Sequence, residues 1–168
     1  MQGKFLIGLL KDAKELGIHT CIETCGFASS ETVAEVAKYT DIFLFDVKET
    51  DDIRHKELTG VPFTPIKENL MMLDRMGAKI ILRCPLVPNV NTRREHLYAI
   101  AEIASELNNI IEVNVMAYHL LGNGKYDALQ IENKMLGHEA MTPEQKAECI
   151  KVISEKITEI CGKTINVL

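Results

Sequence analysis

The chain has 168 residues, 46% of them hydrophobic, enough for one domain spanning residues 1–168 but small for a closed eight-unit barrel. Its 19 basic and 24 acidic residues give a net charge of -5, which argues against nucleic acid or an anionic membrane surface as partner. No apolar stretch reaches the roughly 20 residues of a membrane span and no signal-peptide pattern opens the sequence, so the chain reads as cytoplasmic.

Phe5, Leu6, Leu9, Leu10, Ala13 and Leu16 recur at helical spacing and Gly17 follows as a stop, which predicts an amphipathic helix. A short strand, His19 to Glu23, comes next, then a turn at Gly26 and a helix opening at Ser29 or Ser30. The apolar run Ile42 to Phe45, ending in Asp46, suits a strand covered on both faces. After a polar stretch, Thr64-Pro65 reads as an N-cap with proline at the first helical position, and Gly77 ends that helix before the strand Lys79 to Cys84. Thr92 and Glu95 have capping-box spacing ahead of the stripe Leu97, Ile100, Ala101, Ala104 and Leu107, and the strand Ile111 to Val115 follows. A second capping box, Thr142 to Gln145, leads the stripe Ile150, Ile153, Ile157 and Ile160 before a terminal strand, Thr164 to Val167. This alternation predicts α/β architecture with parallel strands, either a doubly wound sheet or part of a (β/α) barrel. An opening helix without a preceding strand suggests truncation at the N-terminus.

In parallel α/β proteins ligands bind at the C-terminal ends of the strands, which directs attention to Glu23-Thr24-Cys25-Gly26, Asp46-Val47-Lys48, Arg83 and Tyr118-His119. Leu44, Asp46 and Lys48 share one side of an extended strand, so an apolar row runs directly into charge. Each group also has a plain reading: Asp46 with Lys48 as a rim ion pair, Arg83 as the neutraliser of Glu23 or Asp46, and His119 as a satisfied strand-end histidine. The five cysteines, Cys21, Cys25, Cys84, Cys149 and Cys161, lack compact spacing, which points to free thiols. Cys21-x-x-x-Cys25 begins a CxxxCxxC cluster motif, but Ala28 stands where the third cysteine belongs.

Several segments together are more specific than any residue alone. They are Glu23-Thr24-Cys25-Gly26, Leu44-Phe45-Asp46-Val47-Lys48, Leu58-Thr59-Gly60, Ile81-Leu82-Arg83 with Val87-Pro88-Asn89, and Ala117-Tyr118-His119-Leu120-Leu121-Gly122 with Lys125-Tyr126. In order and spacing the chain resembles the activating enzymes of pyruvate formate-lyase and related glycyl radical enzymes, within the radical SAM superfamily. The resemblance implies a partial (β/α) barrel of radical SAM type, truncated at the N-terminus and retaining four of the family's six strands. It implies S-adenosylmethionine (SAM) as cofactor, bound by Asp46, Val47, Lys48, Arg83 and His119, and a monovalent cation site at Glu23, Thr24 and Asp46. A 4Fe-4S cluster is expected only in a longer parent, since neither CxxxCxxC nor the family's G-G-E motif occurs in the sequence. The implied partners are a glycyl radical enzyme, whose glycine would lose a hydrogen atom to the 5'-deoxyadenosyl radical, and reduced flavodoxin or ferredoxin as electron donor. The chain alone is then expected to be inactive, and to self-associate through its unpaired sheet edge. Two other functions suit the same residues: a small barrel lyase or aldolase with Lys48 as Schiff base, and a non-catalytic fragment that binds a ligand or partner.

Overall fold

The computed structural model describes residues 2–133 and 135–168, apart from the side chains of Asn123 and Asp127. In chain order the elements are α1 (Gly3–Glu15), β1 (Cys21–Thr24), α2 (Ser30–Ala37), β2 (Ile42–Asp46), α3 (Asp52–Thr59), α4 (Thr64–Arg75), β3 (Lys79–Leu86), α5 (Arg94–Glu106), β4 (Ile110–Ala117), α6 (Asn123–Leu129), α7 (Pro143–Cys161) and β5 (Asn166–Val167). All pairings are parallel and the strand order is β1-β2-β3-β4-β5. Spatial order that follows chain order has no reversal point, which is the barrel arrangement and not the doubly wound one. The sheet has five strands where the resemblance implied four. The fifth is the short terminal strand, held also by Leu168, whose N–H donates to the Val113 carbonyl and whose carbonyl accepts from Val115.

Alternation along the strands separates the two faces. Phe43, Phe45 and Val47, then Ile80, Leu82, Cys84 and Leu86, then Val113 and Val115 are all buried. They pack under Ile66, Leu70 and Leu73 of α4, Leu97, Ile100 and Ala104 of α5, and Ile153 and Ile157 of α7. Each such side chain contributes about 1.5–3 kcal/mol by leaving water, so this layer carries most of the fold's stabilisation. The residues between them, Ile42, Leu44, Asp46, Ile81, Arg83, Asn114 and Met116, are only partly buried. The strand expected to be covered on both faces is therefore covered on one, because the helices pack on one side and leave the other open.

Local signals explain most element ends. Ser29 caps α2 by accepting from Thr32 N, and Thr142 and Gln145 form the expected capping box at the start of α7. Two expected caps do not form. Thr64 is the first residue of α4, and its N–H and hydroxyl donate instead to Asp52; Thr92 accepts from Asn89 N while Arg93 stands at the cap of α5 without a side-chain hydrogen bond. The polar stretch after β2 holds a helix, α3, capped by Asp51 and closed by Gly60 in the left-handed region. It buries only His55, whose ring Nδ1 donates to the Val61 carbonyl at 2.6 Å. Opening helix α1 buries Leu10 alone and leaves Phe5 and Leu9 exposed, as is Leu16 at its C-terminal cap. Among the described residues no helix is long and apolar enough to cross a membrane.

Candidate functional site at the strand ends

The turn after β1 sets the near side of the site. Gly26 has φ +72°, and a Cβ there would lie 2.3 Å from the Phe45 ring, so the position requires glycine on both counts. Asn69 of α4 then donates to the carbonyls of Gly26 and Ala28, at 2.8 and 2.9 Å, fixing the turn to the helix layer.

Register places the charges. Glu23 is level with Leu44, and Asp46 with Arg83, so all three project from the open face at neighbouring positions. Arg83 is not the end of its strand, since β3 continues to Leu86; it is nonetheless level with the last residue of β2. The Arg83 guanidinium meets Glu23 at 2.5 Å and lies 3.5 Å from Asp46 Oδ1, while its Nε donates to Met116 Sδ at 3.1 Å. Lys48 Nζ donates to Asp46 Oδ2 at 2.9 Å. Hydrogen bonding and charge from Arg83 hold the Glu23 carboxyl below its ordinary range.

Among the described residues Asp46 Oδ1 is buried without a hydrogen-bond partner, because at 3.5 Å the Arg83 contact is an ion pair outside hydrogen-bond geometry. A buried, orphaned carboxylate oxygen between two cations suits a ligand that brings its own cationic or N–H group to Asp46 and a carboxylate to Lys48 or Arg83. Glu23, Asp46, Lys48 and Arg83 are thus brought together. Val47 differs: its side chain lies in the helix-covered core and its N–H donates to the Arg83 carbonyl, so its side chain is closed to a ligand. His119 is exposed, just beyond Ala117, at the same end of the sheet as Lys48, but no hydrogen bond or ion pair joins it to the charged group.

The cation trio does not converge. Thr24 points to the helix side, opposite to Glu23, and its hydroxyl accepts from Gly26 N, while Arg83 already faces both carboxylates. Nor do the cysteines fit a cluster. Cys21 is exposed, whereas Cys84 is buried on the helix-covered side, where burial pushes its thiol up to about 12. Among the described residues no three His, Cys, Asp or Glu side chains group to hold a metal ion.

Three polar residues beside the site had no readable signal in the sequence: Glu49, Asn91 and Arg93. Glu49 is fully buried directly after Lys48, accepting from Arg93 Nη1 and Nη2 at 2.5 and 2.6 Å and from the N–H groups of Thr50 and Asp51. Burial alone would raise its carboxyl; the Arg93 fork, the two N–H groups and the charge of His96 outweigh it and hold it at about 2. Only the folded loop reveals that this acidic residue faces inward.

No family model matches the chain. It is 34% identical over 155 residues to a pyruvate formate-lyase-activating enzyme of Clostridium pasteurianum, covering 92% of this chain and 65% of that protein. It is 39% identical over 154 residues to a trans-4-hydroxy-L-proline dehydratase activating enzyme of Clostridioides difficile, covering 90% of this chain and 50% of that protein. The chain thus spans between half and two thirds of the length of these relatives. Among solved structures, a domain of pyruvate-formate lyase-activating enzyme from Bacteroides vulgatus superposes with a TM-score of 0.78 at 23% identity, over 99% of this chain and 89% of that one. Streptococcus suis SuiB bound to S-adenosylmethionine gives 0.69 at 19% identity, over 96% of this chain and 35% of that one. At those identities the two superpositions establish a shared fold, and over the matched residues the chain is similar in sequence to activating enzymes of glycyl radical enzymes.

Proposed function

We propose that the open strand ends form part of the SAM-binding surface of an activase for a glycyl radical enzyme. One observation carries this reading: Asp46, Lys48 and Arg83 converge on one face at the C-terminal ends of parallel strands, leaving Asp46 Oδ1 unsatisfied. In its support, the relatives are named activating enzymes, and SuiB of the same fold was solved with SAM. Lys48 and Arg83 would hold the ligand carboxylate, Asp46 would face its cationic groups, and Glu23 would keep the Arg83 guanidinium over the face. Bound SAM would supply the 5'-deoxyadenosyl radical of the family's chemistry, which withdraws hydrogen from a glycine of the partner enzyme. The described residues do not fit a 4Fe-4S cluster, and that electron source, with flavodoxin or ferredoxin behind it, belongs to the activity of a whole activating enzyme. Lys48 as a Schiff-base amine is disfavoured, because its Nζ is already engaged by Asp46 at 2.9 Å.

Titration calorimetry with SAM tests the reading. Lys48→Met and Arg83→Gln should each weaken binding by about 10-fold or more, the expected loss of a charge-assisted hydrogen bond. Unchanged affinity in both variants would overturn it. These 168 residues, incubated with iron, sulfide, dithionite and SAM, should yield no 5'-deoxyadenosine; its formation would show a cluster site that the geometry does not contain.

A further inference from the structure

The ladder between β2 and β3 ends just where the proposed ligand residues begin. Val47 N–H donates to the Arg83 carbonyl, the last such bond of the pair. Beyond it two acceptors, the carbonyls of Lys48 and Pro85, stand without a ladder partner; two carbonyls cannot bond each other, and left alone in a partly buried site they would repel. Asn91, 4% exposed, supplies what they need. Its side-chain amide donates to the Lys48 carbonyl at 2.7 Å and to the Pro85 carbonyl at 2.8 Å. Its oxygen accepts from Val87 N at 2.7 Å, so every hydrogen-bonding position but one lone pair is used. No other common side chain puts two donors and an acceptor in one plane at this reach except glutamine, which is one methylene too long for the same backbone position.

On the far side of Lys48, the next residue is clamped as well. Arg93, two residues after Asn91, grips the buried Glu49 carboxylate with both terminal nitrogens. One loop, Val87 to Arg93, therefore holds the chain at Lys48 and immediately after it. Among the described residues the partly exposed Lys48 side chain pairs only with Asp46, so its side-chain contacts do not fix its backbone.

We propose that Asn91 is the positioning residue of Lys48, tying the end of β2 to the end of β3 so that the lysine's ammonium stays over the open face. The functional consequence rests on the SAM-site reading above; the mechanical part does not. Two measurements on the full chain separate them. In the ligand-free protein, backbone 15N relaxation should show the Lys48 order parameter falling from about 0.85 to below about 0.6 in Asn91→Ala, while Phe45 and Leu82 stay rigid. An unchanged Lys48 order parameter would overturn the proposal, whatever happens to thermal stability. The second measurement is a double-mutant cycle of SAM affinity with Lys48→Met. Asn91→Ala should weaken binding by about 10-fold beside Lys48, through two lost hydrogen bonds, and by less than about two-fold beside the methionine. Equal losses in both backgrounds would show that Asn91 does not act through Lys48 and would sink it. If the unmutated chain binds no SAM, the SAM reading fails and the relaxation result alone decides. Should Asn91→Ala not fold, Asn91→Asp serves in both measurements, since it keeps the acceptor for Val87 and loses the two donors.

Discussion

Gly26 shows how much one residue of the turn after β1 decides. A side chain there must adopt a left-handed backbone and displace the Phe45 ring, which is itself fully buried. Left-handed strain of about 1–2 kcal/mol and overpacking of about 1–3 kcal/mol add, so Gly26→Ala should destabilise the protein by about 3 kcal/mol in urea unfolding. A loss under about 1 kcal/mol would mean that the ring moves aside freely. Asp46 and Glu23 illustrate a different kind of residue-scale fact. Their presence beside Arg83 was legible, because strand ends in parallel sheets collect ligand groups; their division of labour was not. Glu23 engages the guanidinium directly, whereas Asp46 keeps one oxygen free, and that distinction depends on interatomic distances.

Among the elements, α5 carries the clearest titration. His96 is fully buried on this helix; its Nδ1 is 2.9 Å from the Thr50 hydroxyl, and its Nε2 has no partner among the described residues. Burial lowers its pKa from 6.5 to about 4, against the opposing pull of Glu49 and with help from Arg93 and Arg54. The sign follows directly. Between pH 6.5 and 4 the unfolded chain takes up a proton that native His96 refuses, so stability is full above 6.5 and falls as pH drops through that window. The loss should be roughly 3 kcal/mol by pH 4, about 2 kcal/mol of it by pH 5, and His96→Gln should remove most of it; denaturant midpoints at pH 7 and pH 5 for both proteins provide the check. A pH dependence unchanged by the substitution would place the titration elsewhere. Glu49, held at about 2, acts lower: its contribution is present above 4.5 and fades as pH falls toward 2. Helices α3 and α6 are elements whose sequence was silent; α3 lacks an apolar stripe and declares itself only by Asp51 at one end and Gly60 at the other.

For the molecule as a whole, the asymmetry of the sheet matters most. One face is sealed by helices; the other carries a half-exposed row from Leu44 to Asp46 and from Ile81 to Arg83. Among the described residues β1 pairs on one side only, and the neighbouring helix α1 with its C-terminal cap exposes Phe5, Leu9 and Leu16. An unpaired strand edge beside an apolar stripe is a template for association, so these 168 residues should show concentration-dependent self-association by sedimentation. A monomer at every concentration, with no binding of a hydrophobic dye, would count against that expectation.

By itself the sequence determined the alternation of helix and strand, the helix stripes, the caps at Ser29 and Thr142, and the motifs that carry the resemblance to glycyl radical enzyme activating enzymes. Those are local or periodic properties, written in residues a few positions apart. Tertiary structure decided the rest. Strand order chose the barrel arrangement over the doubly wound one, and register brought Glu23, Asp46 and Arg83 to neighbouring positions. Pleating turned Thr24 and Val47 away from the face that their neighbours share. Asn91 and Glu49 look like ordinary loop residues in the sequence, because satisfying a buried carbonyl or carboxylate depends on partners up to 44 positions away that only the folded chain brings within 3 Å.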